Sequence, residues 1–299
     1  MIDRRTFLAA GAALAASCRA AAPTENATQE RSGKDLQARL EAIRATLGPG
    51  GRLGVAAIET GSGREIRFDA DSRYGMASTF KLPLAGAVLA LAERGKISLE
   101  EKLPFPPGKP LDDSPAVERY RSEGGLSVIR LCSAIVELSD NTGANMLLQR
   151  IGGPQALTAF IRTCGDKVTR LDRFEMALNS NLPGDPRDTT SPAAMARLTR
   201  TLVLGDVLSR QSRNHLSTWL QKSVPGPDRL KAGMPSPPWL VGHKTGTGSN
   251  GNVNDVAVAW RSGKPPVVVA CYQSGGTADR PTRFAAHASV GRLVAETFA

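Results

Sequence analysis

The sequence is poor in the residues that most often bind metals or nucleic acids. It has only three histidines among 299 residues, and aromatic residues make up 5% of the chain. The histidines are far apart and form no His-x-His-x-Asp motif, which argues against a zinc-dependent enzyme. The formal charge is +10, but the basic residues are scattered, with no run of four or more. We therefore expect no metal, no cofactor and no nucleic-acid partner.

Cysteine is also sparse, with four residues in the whole chain. Cys18 lies near the N-terminus, whereas Cys132, Cys164 and Cys271 lie among apolar neighbours. A chain of this length does not need a disulfide scaffold to be stable. We expect the last three cysteines to be buried free thiols.

No apolar run in the sequence is long enough to cross a membrane. Residues 1–22, MIDRRTFLAAGAALAASCRAAA, contain Arg4 and Arg5, then a short apolar stretch, then small residues. This pattern is typical of a twin-arginine export signal, and we expect cleavage after Ala22. Cys18 leaves a second interpretation open, in which the chain is a lipoprotein. The expected location is the periplasm.

What the sequence does contain is a pattern of strands at both ends and helices between them. The segment RLGVAAIETGSGREIRFDAD predicts a hairpin, and WLVGHKTGTG, NDVAVAW and PPVVVACY predict later strands. These features predict an α/β (α+β) fold, in which an antiparallel sheet flanked by helices is formed from both chain ends. We expect residues 33–76 and 222–299 to form this α/β domain. Residues 77–221 are expected to form an inserted all-helical domain.

A serine and a lysine stand three residues apart at the head of the apolar run ASTFKLPLAGAVLALA, residues 77–92. The run is typical of a core helix, so Lys81 should be buried. A buried lysine needs polar partners or loses its proton. Ser78 lies one helical turn before Lys81, so its hydroxyl can reach the amine. On its own, however, this spacing would also fit a simple helix cap.

Three further motifs follow in a fixed order along the chain. SDN occupies residues 139–141, RFEMALN occupies 173–179 and HKTGTG occupies 243–248. Ser-x-x-Lys, Ser-Asp-Asn and Lys-Thr-Gly together are the motif set of class A β-lactamases and penicillin-binding proteins. With the RFEMALN segment added, the chain resembles a class A serine β-lactamase along nearly its whole mature length.

The resemblance implies catalytic roles for the matching residues. Ser78 is the implied nucleophile, and the backbone N–H groups of Ser78 and Thr247 are the implied oxyanion hole. Ser139 is implied to pass a proton to the leaving nitrogen. The base that deprotonates the nucleophile stays open between Lys81 and Glu175 acting through water.

The resemblance also implies a set of binding residues. Asn141 would hold the acylamide group of the substrate. Asn179 would help Glu175 to position the water that hydrolyses the acyl-enzyme. A cation flanked by hydroxyl groups suits the carboxylate of the substrate. The strand segment implied to bind that carboxylate consists of Lys244, Thr245, Gly246 and Thr247.

An Ω-type loop at residues 173–188 is implied by the same resemblance. Arg173 and Asp188 match an ion pair that closes the neck of this loop. The sequence departs from the family pattern at Met176, where many relatives have proline.

Two further positions around the implied site differ among the relatives. Arg229 matches a second carboxylate-binding cation found in some relatives, but a solvated surface arginine would fit as well. Asp113 occupies a position at the rim where relatives often have an aromatic residue. The sequence therefore offers no aromatic side chain at this position to stack against the substrate.

The implied activity is hydrolysis of the β-lactam ring of penicillins and cephalosporins, with carbapenems as a further expectation, giving resistance to these antibiotics. A D,D-peptidase stays open as an alternative, since it shares Ser-x-x-Lys and Lys-Thr-Gly but lacks the Glu-x-x-x-Asn loop. A non-catalytic β-lactam sensor also stays open; it would remain acylated and lack a working Glu175. We expect a monomer whose partner is the small β-lactam substrate.

Overall fold

The computed structural model describes residues 25–299, with side chains from residue 33 onward. The chain divides into the units Met1–Ala38 and Arg39–Ala299. The sheet and the site described below belong to the second unit. The predicted export signal at residues 1–22, with Cys18 and the cleavage site, lies outside the described residues.

A five-stranded antiparallel sheet is built from both ends of the chain. The strands of the described residues are β1 (Arg52–Glu59), β2 (Glu65–Phe68), β3 (Tyr74–Gly75), β4 (Lys102–Pro104), β5 (Gly125–Ser127), β6 (Thr189–Thr190), β7 (Leu240–Thr247), β8 (Val253–Arg261) and β9 (Lys264–Ser274). Five of them form the sheet, in the order β2-β1-β9-β8-β7. The predicted antiparallel sheet from both chain ends is confirmed.

Most of the helices come between β3 and β7 in the sequence. They are α1 (Glu25–Ala45), α2 (Lys81–Glu93), α3 (Pro115–Arg119), α4 (Val128–Glu137), α5 (Asn141–Ile151), α6 (Pro154–Thr163), α7 (Pro192–Val203), α8 (Arg210–Gln221) and α9 (Arg280–Thr297). Helix α7 contacts β1 and β9, and α9 contacts β8 and β9. The sheet is therefore flanked by helices, as predicted.

Helix α2 is the centre of the helical region. Its side chains from Lys81 to Ala90 are buried on every face. A helix that is apolar all round is stable only when other elements surround it. Helices α4, α5, α6, α7 and α8 all contact α2, and this packing fixes the start of α2 beside the sheet.

Two short strand pairs were not predicted from the sequence. Strand β3 pairs with β6, and β4 pairs with β5. Strands of two or three residues are too short to show the alternation that marks a strand in sequence. The β3–β6 pair matters for the site, because it joins the segment just before Ser78 to the end of the loop at 173–188.

The three cysteines in the described part of the chain are all free thiols. Cys132 and Cys271 are buried, as predicted. The prediction of full burial is wrong for Cys164, which is only partly buried because it lies at the exposed C-terminal end of α6.

None of the helices in the described residues is both long and apolar enough to span a membrane.

Candidate active site

Ser78 lies in a short 3-10 helix, Ala77–Phe80, that leads directly into α2. The chain turns sharply before it, since Ala77 has φ of +43°. The buried amide of Asn254 on β8 holds this turn by donating to the backbone oxygens of Gly75 and Met76 at 2.9 and 3.0 Å. The hydroxyl is thus held at the junction between the helical region and the sheet.

Lys81 is fully buried and is the first residue of α2. Its Nζ atom lies 3.0 Å from Ser78 Oγ and 3.0 Å from Glu175 Oε1. It also donates to Asn141 Oδ1 at 2.5 Å and to the backbone oxygen of Ser139 at 2.8 Å. Burial lowers the pKa of Lys81, and the Glu175 carboxylate opposes that effect. The polar partners predicted for this lysine are present.

The SDN segment is held in place by its middle residue. Asp140 caps α5 by accepting from the backbone N–H of Gly143 at 2.7 Å. Its second oxygen accepts from the backbone N–H groups of Ala116 and Val117 on α3. Asp140 is therefore structural, and it fixes the residues on either side of it.

Ser139 and Asn141 both point towards the lysines of the site. Ser139 Oγ accepts from Lys244 Nζ at 3.0 Å and lies 3.4 Å from Lys81 Nζ. The Asn141 side chain accepts from Lys81 and donates to the backbone oxygen of Asp112 at 2.8 Å. The Ser139 hydroxyl is thus shared between the amines of two lysines.

Glu175 is a buried carboxylate that faces both Lys81 and Asn179. Asn179 Nδ2 donates to Glu175 Oε2 at 2.7 Å. The Asn145 side chain on α5 accepts from the backbone N–H of Glu175 and donates to its backbone oxygen, each at 2.9 Å. Sequence reasoning missed Asn145. The available signal was its spacing of four residues from Asn141, which puts both amides on one helix face.

Arg173 and Asp188 pair across the neck of the loop, at 2.5 Å between Arg173 Nε and Asp188 Oδ2. Asp188 Oδ1 also accepts from the backbone N–H groups of Asp172 and Arg173 at 2.7 and 2.9 Å. The Asp188 side chain is 1% exposed and that of Arg173 is 20% exposed. The Glu175–Met176 peptide bond in this loop is cis.

The end of β7 forms the opposite wall of the site. Lys244 is fully buried and donates to the backbone oxygen of Thr245 at 2.8 Å, besides its bond to Ser139. Burial, together with the positive charges of Lys81 and Arg229, lowers the pKa of Lys244 well below its usual value. A cation in such surroundings gains from an anionic partner.

Gly246 is required where β7 approaches the nucleophile. A Cβ atom at this position would lie 2.8 Å from the backbone oxygen of Met76 and 3.1 Å from the backbone nitrogen of Ser78. The strand therefore passes within contact distance of the Ser78 N–H group. Any larger residue would push the strand and the nucleophile apart.

Arg229 is buried, with 5% of its surface exposed, so the alternative of a solvated surface arginine is wrong. Its guanidinium donates to the backbone oxygens of Gly246 and Asn254 at 3.0 and 2.8 Å, and to Thr247 Oγ1 at 2.8 Å. The group lies 4.7 Å from the centre of the Phe284 ring. These contacts bring its positive charge to the end of β7.

An open cavity of about 500 Å³ lies between these segments, and Lys81, Glu175 and Lys244 are not among the residues that line it. Asp113, at the rim position where relatives often have an aromatic residue, is exposed at the edge of the cavity. Leu138 and Met176 add apolar surface. No group of three or more histidine, cysteine or acidic side chains in the described part of the chain could hold a metal ion. The cavity is lined by Ser78, Asp113, Ser114, Pro115, Glu118, Leu138, Ser139, Asn141, Met176, Asn179, Pro225, Arg229, Thr245, Gly246 and Thr247.

Comparison with known proteins identifies the family. A family model described as the β-lactamase enzyme family matches residues 35–298. β-Lactamase AST-1 of Nocardia asteroides is 39% identical over 300 residues, covering 98% of this chain and 96% of that protein. β-Lactamase CTX-M-8 of Citrobacter amalonaticus is 41% identical over 238 residues, covering 80% of each.

Solved structures agree with these relatives. An ancestral class A β-lactamase, GNCA, superposes with a TM-score of 0.85 at 49% identity, covering 88% of this chain and 100% of that one. The putative class A β-lactamase PenP of Rhodopseudomonas palustris gives a TM-score of 0.84 at 46% identity, covering 88% and 99%. With the fold, the four motifs and the whole-length matches in agreement, the chain belongs to the class A β-lactamase family.

Proposed function

We propose that this protein hydrolyses the β-lactam ring of penicillins and cephalosporins through an acyl-enzyme on Ser78, and thereby confers resistance to these antibiotics. The observation that carries the proposal is the position of Lys81 Nζ, 3.0 Å from both the Ser78 hydroxyl and the Glu175 carboxylate. A nucleophile and a buried carboxylate that contact the same amine are what acylation and deacylation at one centre require.

Acylation begins when Ser78 Oγ attacks the β-lactam carbonyl carbon. The proton of Ser78 passes either to neutral Lys81 or, through water, to Glu175; the contacts of Lys81 with both groups support either route. The backbone N–H groups of Ser78 and Thr247 stabilise the oxyanion. When the ring C–N bond breaks, Ser139 gives its proton to the nitrogen. The proton first taken from Ser78 then passes to Ser139 through Lys81, so that Lys81 and Glu175 end the step in the states in which they began it.

Deacylation needs a water molecule activated beside the ester on Ser78. Glu175 takes a proton from this water, whose oxygen attacks the ester carbonyl carbon. The Asn179 amide is bonded to Glu175 at 2.7 Å and so fixes the direction of the carboxylate. The ester bond then breaks, the proton returns to Ser78 and the ring-opened product leaves.

Binding of the substrate's carboxylate is proposed for Lys244, Thr245, Thr247 and Arg229. Lys244 and the two hydroxyl groups on β7, with Arg229 bonded to the end of that strand, form a fixed anion site. Asn141 is proposed to hold the acylamide group, because its side chain lines the cavity beside Ser78. The same proposal extends to the hydrolysis of carbapenems.

The two alternative functions are not favoured. The relatives described above are β-lactamases. A peptidase or a sensor that stays acylated would have no use for a buried carboxylate and amide paired beside the nucleophile.

Steady-state hydrolysis of a penicillin, a cephalosporin and a carbapenem by residues 23–299 tests the proposal, with Ser78→Ala as the inactive control. Hydrolysis at the parent rate by Ser78→Ala would contradict it.

We further propose that the mature chain acts as a monomer in the periplasm after twin-arginine export. Its architecture is proposed to comprise an α/β domain, residues 33–76 and 222–299, and a helical domain, residues 77–221. The sheet drawn from both chain ends supports this division.

The export proposal predicts a specific defect. Replacing Arg4 and Arg5 together with lysine should leave the precursor in the cytoplasm, because the arginine pair is the part of the signal that is recognised. β-Lactam hydrolysis in periplasmic and cytoplasmic fractions is the measurement, and Arg19→Lys in the same segment is the control. Unchanged periplasmic activity would contradict twin-arginine export.

Cys18→Ala tests the lipoprotein interpretation. If the chain is a lipoprotein, this change should move its activity out of the membrane fraction; if it is not, the distribution of activity should stay the same.

Arg229→Ala should weaken turnover of substrates that carry the ring carboxylate. Losing one charge-assisted hydrogen bond costs about 1.5–3 kcal/mol, so kcat/KM should fall roughly ten- to a hundredfold. Steady-state kinetics on a penicillin measures this effect. Arg197→Ala, which removes an exposed arginine on α7, is the matched control. Parent kinetics in Arg229→Ala would show that this arginine does not bind substrate.

A further inference from the structure

A buried polar pair on β7 and β8 has no part in the reaction steps above. It consists of His243 on β7 and Asp255 on β8, which are 1% and 0% exposed. Asp255 is the cross-strand partner of Thr245. Neither His243 nor Asp255 is among the residues that line the cavity.

Asp255 accepts hydrogen bonds from two different elements. His243 Nδ1 lies 3.1 Å from each of its carboxylate oxygens. The backbone N–H of Leu230 donates to Asp255 Oδ2 at 3.1 Å. Leu230 directly follows Arg229 and begins a short 3-10 helix, Leu230–Gly233. The carboxylate therefore fixes the backbone at the residue next to Arg229.

Asp255 is also a buried negative charge that acts on both cations at this end of the cleft. Burial alone would favour its neutral form, but the adjacent His243 holds the pKa of Asp255 below its usual value. Burial lowers the pKa of Arg229 and of Lys244, and the Asp255 charge opposes that lowering in both. Removing this charge would leave two buried cations without the counter-charge that Asp255 supplies.

The other titratable groups around Asp255 are not charged at neutral pH. Burial lowers the pKa of His287 on α9 to about 4, and its Nε2 donates to the backbone oxygen of Val253 at 3.1 Å. Burial raises the pKa of the Cys271 thiol on β9. Asp255 therefore faces cations and neutral groups, and no competing anion lies among these neighbours.

We propose that His243 and Asp255 are positioning residues for the carboxylate-binding end of the cleft. Asp255 holds the Arg229 segment against β7 and β8 and supplies the counter-charge for the guanidinium. His243 orients Asp255 through its Nδ1–H group. Arg229 in turn contacts Thr247 at the end of β7. This inference rests on the proposed function, because it requires Arg229 to bind the substrate's carboxylate.

The test compares two substrates that differ only at that carboxylate, benzylpenicillin and its methyl ester. Asp255→Asn keeps the size of the side chain and an acceptor for Leu230 but removes the charge. We expect kcat/KM for benzylpenicillin to fall roughly tenfold, the scale of coupling within one polar network, mainly through KM. The value for the methyl ester should stay within about twofold of the parent value, because the ester offers no carboxylate to the site.

His243 provides a rescue experiment with the same two substrates. His243→Leu removes the donor to Asp255 and should reproduce the loss on benzylpenicillin. His243→Asn keeps a side-chain N–H near the position of Nδ1 and should recover most of the parent value. This pair decides the question even if Asp255→Asn does not fold, and thermal unfolding of each variant establishes which proteins are folded.

The outcomes separate this inference from the proposed function. Equal losses on acid and ester would show a general structural effect and overturn the positioning role. In an Arg229→Ala background, Asp255→Asn should cause a much smaller loss on benzylpenicillin than in the parent protein, because only the effect on Lys244 is left; a fully additive loss would also overturn it. If Arg229→Ala lowers turnover but Asp255→Asn does not, only the inference fails. If Arg229→Ala is itself silent, the proposed carboxylate site fails and the inference with it.

Discussion

The Glu175→Ala protein is expected to react with a penicillin and then stall as an acyl-enzyme. Acylation needs Ser78, Lys81 and the oxyanion hole, whereas deacylation also needs an activated water. A positioned general base contributes roughly 10²–10⁴-fold, so steady-state turnover should fall by about that factor. Stopped-flow mixing should show a burst of about one equivalent of ring opening, followed by a slow phase.

The two candidate acylation bases predict different bursts. If neutral Lys81 is the base, the burst rate in Glu175→Ala should stay near the parent acylation rate. If Glu175 acts through water, the burst itself should slow. Asp112→Ala is the control, because that carboxylate is exposed at the surface and pairs only with Lys109 among the described residues. Turnover of penicillin by Glu175→Ala at the parent rate would contradict the assigned role of Glu175.

Arg173→Ala should loosen the loop that carries Glu175. Removing one partner of a buried ion pair costs about 3–5 kcal/mol, because the remaining charge is left without compensation. We expect the lower end of this range, since Asp188 keeps two backbone N–H donors and Arg173 is 20% exposed. Amide hydrogen exchange should accelerate across residues 173–188, and deacylation should slow as Glu175 loses its fixed position.

A second arginine in the same loop provides the matched control for that experiment. Arg187 pairs with Asp185, but its side chain is 50% exposed, and exposed pairs contribute about 0–1 kcal/mol. Arg187→Ala should therefore leave exchange across the loop close to that of the parent protein. Equal protection in Arg173→Ala and parent would show that the neck pair does not hold the loop.

The reaction centre could be predicted because its residues form local motifs. Ser78 and Lys81 are one helical turn apart, and the SDN and KTG segments each place several functional groups on consecutive residues. Their order along the chain made the resemblance specific. The structure brings Lys81 within hydrogen-bonding distance of Ser78, Asn141 and Glu175, as the burial of a lysine in an apolar helix required.

The supporting contacts could not be predicted, because they join distant segments through single residues. Asn254 bonds to the turn before Ser78 from a strand 178 residues later. Asp255 on β8 accepts from the backbone N–H of Leu230 and contacts His243 on β7. A lone arginine such as Arg229 has no local pattern that reports its burial. Such contacts depend on which strands become neighbours. The fold as a whole decides this, so no local sequence pattern predicts the contacts.

Peptide mapping of the acyl-enzyme tests the central proposal most directly. Glu175→Ala is incubated with benzylpenicillin, freed of excess drug, digested with trypsin and analysed by mass spectrometry. Trypsin cleaves after Arg73 and Lys81, so the nucleophile lies in the peptide YGMASTFK. We expect one intact penicillin on Ser78 of this peptide, and no adduct when Ser78→Ala is added to Glu175→Ala. An adduct on another peptide, or one that survives Ser78→Ala, would contradict a reaction through Ser78.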